Sequence, residues 1–164
     1  MRYHNITKVD MLNGSGLRVV LWVAGCEHHC KNCHNPITWD PDGGIHFDNA
    51  AYEELMAALE LDYISGITFS GGDPLHSKNR LKIAKLCHDI KERFPNKTIW
   101  IYTGYKWEEI NYFSFLQWVD VLVDGPFIQE LKDANYHWAG STNQRVIDVQ
   151  KSLKKGKVVL YADN

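Results

Sequence analysis

The sequence has no hydrophobic stretch long enough to span a membrane. Its strongest apolar run, Val19-Val20-Leu21-Trp22-Val23-Ala24, falls far short of the roughly 20 residues that a transmembrane helix needs. The opening Met1-Arg2-Tyr3-His4-Asn5 has no apolar segment of the kind a secretory signal carries. Lysine- and arginine-rich runs are also missing. Eighteen basic against 20 acidic side chains leave a net charge of −2, which argues against a protein that tracks nucleic-acid phosphates. There is no low-complexity segment and no internal repeat of a roughly 20–50-residue period. These absences predict a soluble, cytoplasmic protein with neither a membrane nor a nucleic acid as partner.

What is present is an ordinary globular mixture. The chain has 164 residues, of which 45% are apolar, 12% aromatic and 23% charged, so one domain over residues 1–164 with a real core is expected. Apolar runs rich in Val, Ile and aromatics recur at Leu17 to Ala24, Gly66 to Ser70, Thr98 to Thr103, Val119 to Asp124 and Arg145 to Val149, with Lys157 to Tyr161 as a candidate sixth. Such near-continuous runs suit strands buried on both faces by crossover helices. Between them, Asp48 can cap a helix carrying Tyr52, Leu55, Met56 and Leu59 on one face. A second helix, from about Ser77 to Phe94, places Ile83, Leu86, Cys87, Ile90 and Phe94 on its apolar side, which makes Cys87 a core residue. A third helix, Lys106 to Trp118, is aromatic-heavy and irregular. The alternation predicts an α/β fold with a mainly parallel sheet of five or six strands. A closed eight-unit barrel needs about 250 residues, so an open, partial (β/α) barrel is expected.

Three of the four cysteines crowd into Cys26-Glu27-His28-His29-Cys30-Lys31-Asn32-Cys33, a C-x3-C-x2-C array just after the first strand run. In a cytoplasmic chain such crowding reads as metal binding rather than disulfide bonding. Three thiolates satisfy three irons of a 4Fe–4S cluster, which ordinarily takes four cysteines, so the fourth iron stays open to a non-protein ligand. The competing reading is a Cys3His zinc site completed by His28, His29 or His34. Zinc modules usually pair two cysteine halves, and no second half is present.

A second motif, Ser70-Gly71-Gly72-Asp73-Pro74, stands where the second strand run ends. Two glycines let backbone approach a ligand closely, although a plain β-to-α turn also fits. Thr103-Gly104-Tyr105 and Asp124-Gly125-Pro126-Phe127 close the third and fourth runs, each as a ribose or partner contact or as a structural turn. All these motifs fall at C-terminal strand ends, the face where βα loops build sites.

The cysteine loop after a first strand resembles that of the radical S-adenosylmethionine enzymes. Within that superfamily the chain is similar to the activating proteins of anaerobic ribonucleoside-triphosphate reductases. The similarity runs through Val9-Asp10, Asn13-Gly14, the cysteine loop, Ser70 to Leu75, Thr103 to Tyr105, Val123 to Gly125, Gly140-Ser141 and Asn143-Gln144. It implies a cluster at the open end of a partial barrel. It further implies that the double-glycine turn, Gly71, Gly72 and Asp73, holds the methionine moiety of S-adenosylmethionine, and that Asn32 and His34, flanking Cys33, lie against the adenine. Aspartate at 73 replaces the glutamate that many radical enzymes carry. The implied reaction is reductive cleavage of S-adenosylmethionine, followed by hydrogen abstraction from a glycine of the reductase to leave a glycyl radical. A low-potential donor such as flavodoxin would supply the electron, and no side-chain acid or base is required. Two rivals remain: a pyruvate formate-lyase activating enzyme, and an iron–sulfur electron carrier that binds no S-adenosylmethionine.

Overall fold

The computed structural model describes residues 1–162. Its strands are β1 (Arg2–Asp10), β2 (Arg18–Val23), β3 (Ile45–His46), β4 (Gly66–Gly71), β5 (Thr98–Tyr102), β6 (Val121–Asp124) and β7 (Arg145–Asp148). They form one open mixed sheet in the order β3-β1-β2-β4-β5-β6-β7. The helices are α1 (Asn49–Leu59), α2 (Arg80–Arg93), α3 (Trp107–Ile110) and α4 (Val149–Lys155).

Alternation along each strand decides what lies on either side of the sheet. Val19, Leu21 and Val23 of β2, Ile67 and Phe69 of β4, Ile99 and Ile101 of β5 and Leu122 of β6 face the helices and share one core with Leu55, Leu59, Ile83, Leu86, Ile90 and Ile110. On the other face, Trp100, Val121 and Val123 form a smaller cluster. It is covered by Tyr102, Trp138, Val146 and Tyr161 rather than by a second layer of helices. Asp48 caps α1 by accepting a hydrogen bond from the Ala51 N–H at 2.9 Å. Cys87 is fully buried in the larger core, where burial pushes its thiol pKa far up.

Three expectations need correction. Only β2, β4, β5 and β6 run parallel, so the parallel set has four strands rather than five or six. β7 pairs antiparallel with β6, because no crossover helix returns the chain between Asp124 and Arg145 and the strand enters from the end at which β6 leaves. Lys157 to Tyr161 contributes a single bridge, Ile147 to Leu160, and no strand. The third helix is broken into α3 and a 3-10 turn at Ser114–Trp118. β1 has no clear apolar alternation because its pairing with β2 slips between Tyr3 and Asn5. That irregularity places Tyr3 and Ile6, three positions apart, among the buried residues. Among the described residues, no helix is long and apolar enough to cross a membrane.

At the end of the sheet where the parallel strands begin, Arg18 is fully buried, and among the described residues no carboxylate bonds it. Neutral acceptors take its guanidinium: Nε donates to Thr68 Oγ1 at 2.9 Å, Nη1 to Ser15 O and Thr98 Oγ1, and Nη2 to Ile67 O and Thr98 O. The guanidinium also lies 5.4 Å from the Trp100 ring centroid. Burial lowers its pKa to about 10, so it remains charged at neutral pH. Arg18→Ala removes a large side chain and orphans several acceptors at once. We expect a loss of at least about 3 kcal/mol in urea unfolding.

Candidate functional site

The cysteine loop leaves β2 through Gly25, whose φ of +107 favours glycine. Its start is tied to the segment that follows the loop: Gly25 N–H donates to Thr38 O at 2.7 Å and Cys26 N–H to Trp39 O at 3.1 Å. Within the loop, His29 (φ 48) and Asn32 (φ 58) adopt left-handed backbone, which curls the chain. The Cys33 N–H donates to Cys30 O at 3.1 Å, and the Asn35 N–H reaches Cys33 Sγ at 3.4 Å. Cys26, Cys30 and Cys33 are partly exposed free thiols that line one cavity of about 210 Å³.

The facing wall of that cavity is built by the ends of β4 and β5. Gly71, Gly72 and Asp73 line it together with Thr103 and Gly104, and His34, Phe127 and Gln144 complete the rim. The glycines' side-chain space is occupied by the chain itself. A Cβ on Gly72 would fall 2.6 Å from Gly25 O and 2.8 Å from Thr38 O, and one on Gly71 would fall 2.6 Å from Val23 N. The turn is then stitched down, with Asp73 N–H donating to Gly25 O at 2.7 Å and Asn79 Nδ2 to both Ala24 O and Asp73 O.

Asp73 is 2% exposed, and its carboxylate is enclosed by donors from three loops. Oδ1 accepts from the Leu75 N–H at 2.9 Å, Thr103 Oγ1 donates to both oxygens at 2.9 and 3.0 Å, and Oδ2 accepts from the Gly104 N–H at 3.0 Å. His28 Nε2 lies 2.5 Å from Oδ2. That bond raises the His28 pKa above its ordinary value, with burial opposing it. The His28 ring stands edge-on to Tyr105 at 4.6 Å. This His28–Asp73–Gly104 contact was not apparent from the sequence. The only signal for it was the presence of motifs at two neighbouring strand ends.

Two candidate residues lie off the cavity wall. Asn32 is exposed at the outer side of the loop, where its left-handed turn carries it. Asp124 is buried, and its carboxylate accepts from the Trp107 N–H at 2.8 Å and from Arg145 Nη2 at 2.6 Å, which turns it toward α3 and β7. The Gly140 to Gln144 loop does more than enter β7. Gln144 Oε1 accepts from the Gly140 and Ser141 N–H groups while its Nε2 donates to Gly125 O, fixing the rim.

The donor set fits an iron–sulfur cluster better than zinc. Of the histidines that could complete a Cys3His site, His28 gives its Nε2 to Asp73 while His29 packs on Trp39 and His34 on Phe127, and among the described residues no three His, Cys, Asp or Glu side chains are grouped to hold a single metal ion. Cys87 is fully buried in the helix-side core and is no fourth ligand. Burial pushes the Cys26 thiol up to about 11, a cost that coordination to a metal would offset by holding the sulfur as thiolate. Gly72→Ala would press on the backbone of Gly25 and Thr38, the pair whose hydrogen bond anchors the start of the cysteine loop. We expect it to destabilise the protein by about 1–3 kcal/mol and to lower the iron retained per chain, as read by urea unfolding and iron analysis.

Comparison with known proteins points to the same class of cofactor. Residues 12–147 match the model of a family described as a 4Fe-4S single cluster domain. The chain is 44% identical over 146 residues to the anaerobic ribonucleoside-triphosphate reductase-activating protein of Enterobacteria phage T4, covering 89% of this chain and 93% of that one. It is 43% identical over 150 residues to the protein of that name from Escherichia coli (strain K12), covering 89% and 97%. The Vibrio cholerae protein of the same name is 39% identical over 148 residues, covering 88% and 96%. With this similarity along nearly the whole of both partners, the chain belongs to the family of anaerobic ribonucleoside-triphosphate reductase-activating proteins.

Proposed function

We propose that this chain activates an anaerobic ribonucleoside-triphosphate reductase by installing a glycyl radical, using a 4Fe–4S cluster and S-adenosylmethionine. The observation that carries the reading is the meeting of Cys26, Cys30 and Cys33 with Gly71, Gly72 and Thr103 on one cavity, in a chain that shares the length of the activating proteins. When bound, the cluster and S-adenosylmethionine supply the reductive C–S cleavage and the hydrogen abstraction.

The chain's own residues bind, orient and exclude water. Cys26, Cys30 and Cys33 would hold the 4Fe–4S cluster, and a cluster with three thiolate ligands would keep one iron for a non-protein ligand such as S-adenosylmethionine. Backbone of the Gly71–Gly72 turn borders that ligand, and His34, beside Cys33 and braced by Phe127 at 5.3 Å, flanks the adenine. Asp73 keeps the turn in place through its bonds to Thr103 and the Gly104 N–H. The sheet, open at both edges with helices on one face, is read as a partial (β/α) barrel. Its open side admits a glycine-bearing loop of the reductase, because hydrogen transfer requires the reacting atoms about 3–3.5 Å apart. The partner then covers the site and excludes water. A low-potential donor such as flavodoxin supplies the electron in the cytoplasm.

Cys26→Ala, Cys30→Ala and Cys33→Ala should each abolish an intact 4Fe–4S cluster, as measured by iron and sulfide content and the visible spectrum after anaerobic reconstitution. Cys87→Ala should keep full iron and lose about 1 kcal/mol of stability at most. Equal iron loss in all four variants would contradict the ligand assignment.

Partner choice is tested by mixing reduced protein and S-adenosylmethionine with the reductase or with pyruvate formate-lyase, then recording electron paramagnetic resonance spectra. A glycyl doublet is expected with the reductase alone. A doublet with the lyase alone would transfer the activity to the other glycyl radical enzyme. Failure to cleave S-adenosylmethionine at all would leave an electron carrier.

A further inference from the structure

We infer that His28 is a positioning residue, which sets the arc of the cysteine loop against the double-glycine turn and so fixes the cluster relative to S-adenosylmethionine. The inference rests on the proposed function and concerns this chain's own residues within that site. The base of the loop is well anchored, through Gly25 and Cys26 to the Thr38–Trp39 segment. The arc between Cys26 and Cys30 is not. Among the described residues, the backbone of Glu27, His28 and His29 makes no backbone hydrogen bond to another part of the chain.

Side chains must therefore hold the arc. Glu27 reaches His76 Nε2 at 3.1 Å, but its own side chain is 69% exposed, where such a pair contributes little. His29 only packs against Trp39. His28 is different, because its ring lies 2.5 Å from an Asp73 carboxylate that is 2% exposed. A bond to a buried charge is short, strong and directional. His28 stands two residues after Cys26 in the chain. One residue thus joins a candidate iron ligand to the carboxylate that holds the candidate cofactor turn.

Gly104 supplies an independent sign of the same link. A Cβ there would fall 2.5 Å from His28 Cδ2 and 2.7 Å from its Cγ and Nε2, with those ring atoms as the nearest neighbours. Unlike Gly71, Gly104 does not have positive φ, so alanine suits its backbone and the obstacle is the imidazole. The end of β5 is left bare of a side chain where the His28 ring docks.

The test uses the full chain reconstituted anaerobically with iron and sulfide. It is titrated with S-adenosylmethionine while the reduced cluster is followed by electron paramagnetic resonance. The variants are His28→Ala, His28→Gln, Gly104→Ala and the His28→Ala/Gly104→Ala pair. All four should retain native iron content. His28→Ala and Gly104→Ala should each raise the dissociation constant about tenfold, the scale of one lost hydrogen bond to a charged group. His28→Gln, whose amide can still donate to Asp73, should stay within about threefold of native. The pair should bind no more weakly than His28→Ala alone, because removing the ring vacates the space the alanine needs.

An unchanged dissociation constant in His28→Ala with iron retained overturns the inference. So does an additive loss in the pair, which would show Gly104 acting without the ring. Iron loss in His28→Ala equal to that in Cys26→Ala also overturns it, since His28 would then serve loading rather than positioning. A native protein that carries the cluster yet never binds S-adenosylmethionine overturns the proposed function itself, a result distinct from all three.

Discussion

The buried carboxylate of Asp73 is the constraint around which the site is arranged. A charge removed from water is tolerated only when donors surround it. Here those donors come from three loops that are distant in sequence: His28 after β2, Leu75 beside the β4 turn, and Thr103 with Gly104 after β5. To deliver them, β2, β4 and β5 must be adjacent and parallel with their C-terminal ends level, as the register Val23 to Gly71 and Phe69 to Ile101 provides. The glycines follow from the same demand. Gly72 lets the turn close onto Gly25 and Thr38, and Gly104 leaves room for the His28 ring. Close approach of chain to chain, as well as of chain to ligand, is what these positions require.

This arrangement explains how the parts divide their work within an activating-protein family. The helix-side core gives the parallel strands a rigid base. Among the described residues, the opposite face has the thinner cover of Tyr102, Trp138, Ala139, Val146 and Tyr161 over Trp100, Val121 and Val123. Gln144 secures the rim by bridging Gly125 and Gly140 with one amide. The side chains that shape the cavity are therefore held by hydrogen bonds to buried partners, while the thiols themselves remain partly exposed.

The legible parts of the sequence were those whose signal is local. The four parallel strands announced themselves through unbroken apolar runs, α1 through Asp48 and its spaced apolar face, and the cysteine array through its spacing. β1 was illegible because its slipped register against β2 breaks the alternation on which strand recognition relies. Arg145–Asp148 was recognised as a strand but not for its direction, because direction depends on the path of the loop before it. In the site, the cysteine loop and the double-glycine turn could be placed at neighbouring strand ends, but not the bond that joins them. His28 and Asp73 are 45 positions apart, and no periodicity or spacing rule encodes a pair of that separation. Asp124 reads in the sequence as a ribose or partner contact or a structural turn at a strand end, yet Arg145 and the Trp107 N–H occupy its carboxylate.

The contrast in sequence separation has a thermodynamic consequence. The three thiols lie within the segment Cys26 to Cys33, so an unfolded chain presents them almost as close together as the folded one does. A ligand that also binds the unfolded state lends less to folding than its affinity suggests. Iron held by these thiols would therefore be captured early, before the sheet exists, and by itself would contribute modestly to holding the sheet together. The wall opposite is the reverse case, since Thr103 and Gly104 meet Asp73 across 30 and 31 positions and exist as a surface only after the parallel strands have paired. A ligand that needs both walls draws on the folding free energy of the whole parallel core, and its binding reports whether that core is intact in a way that iron content alone does not.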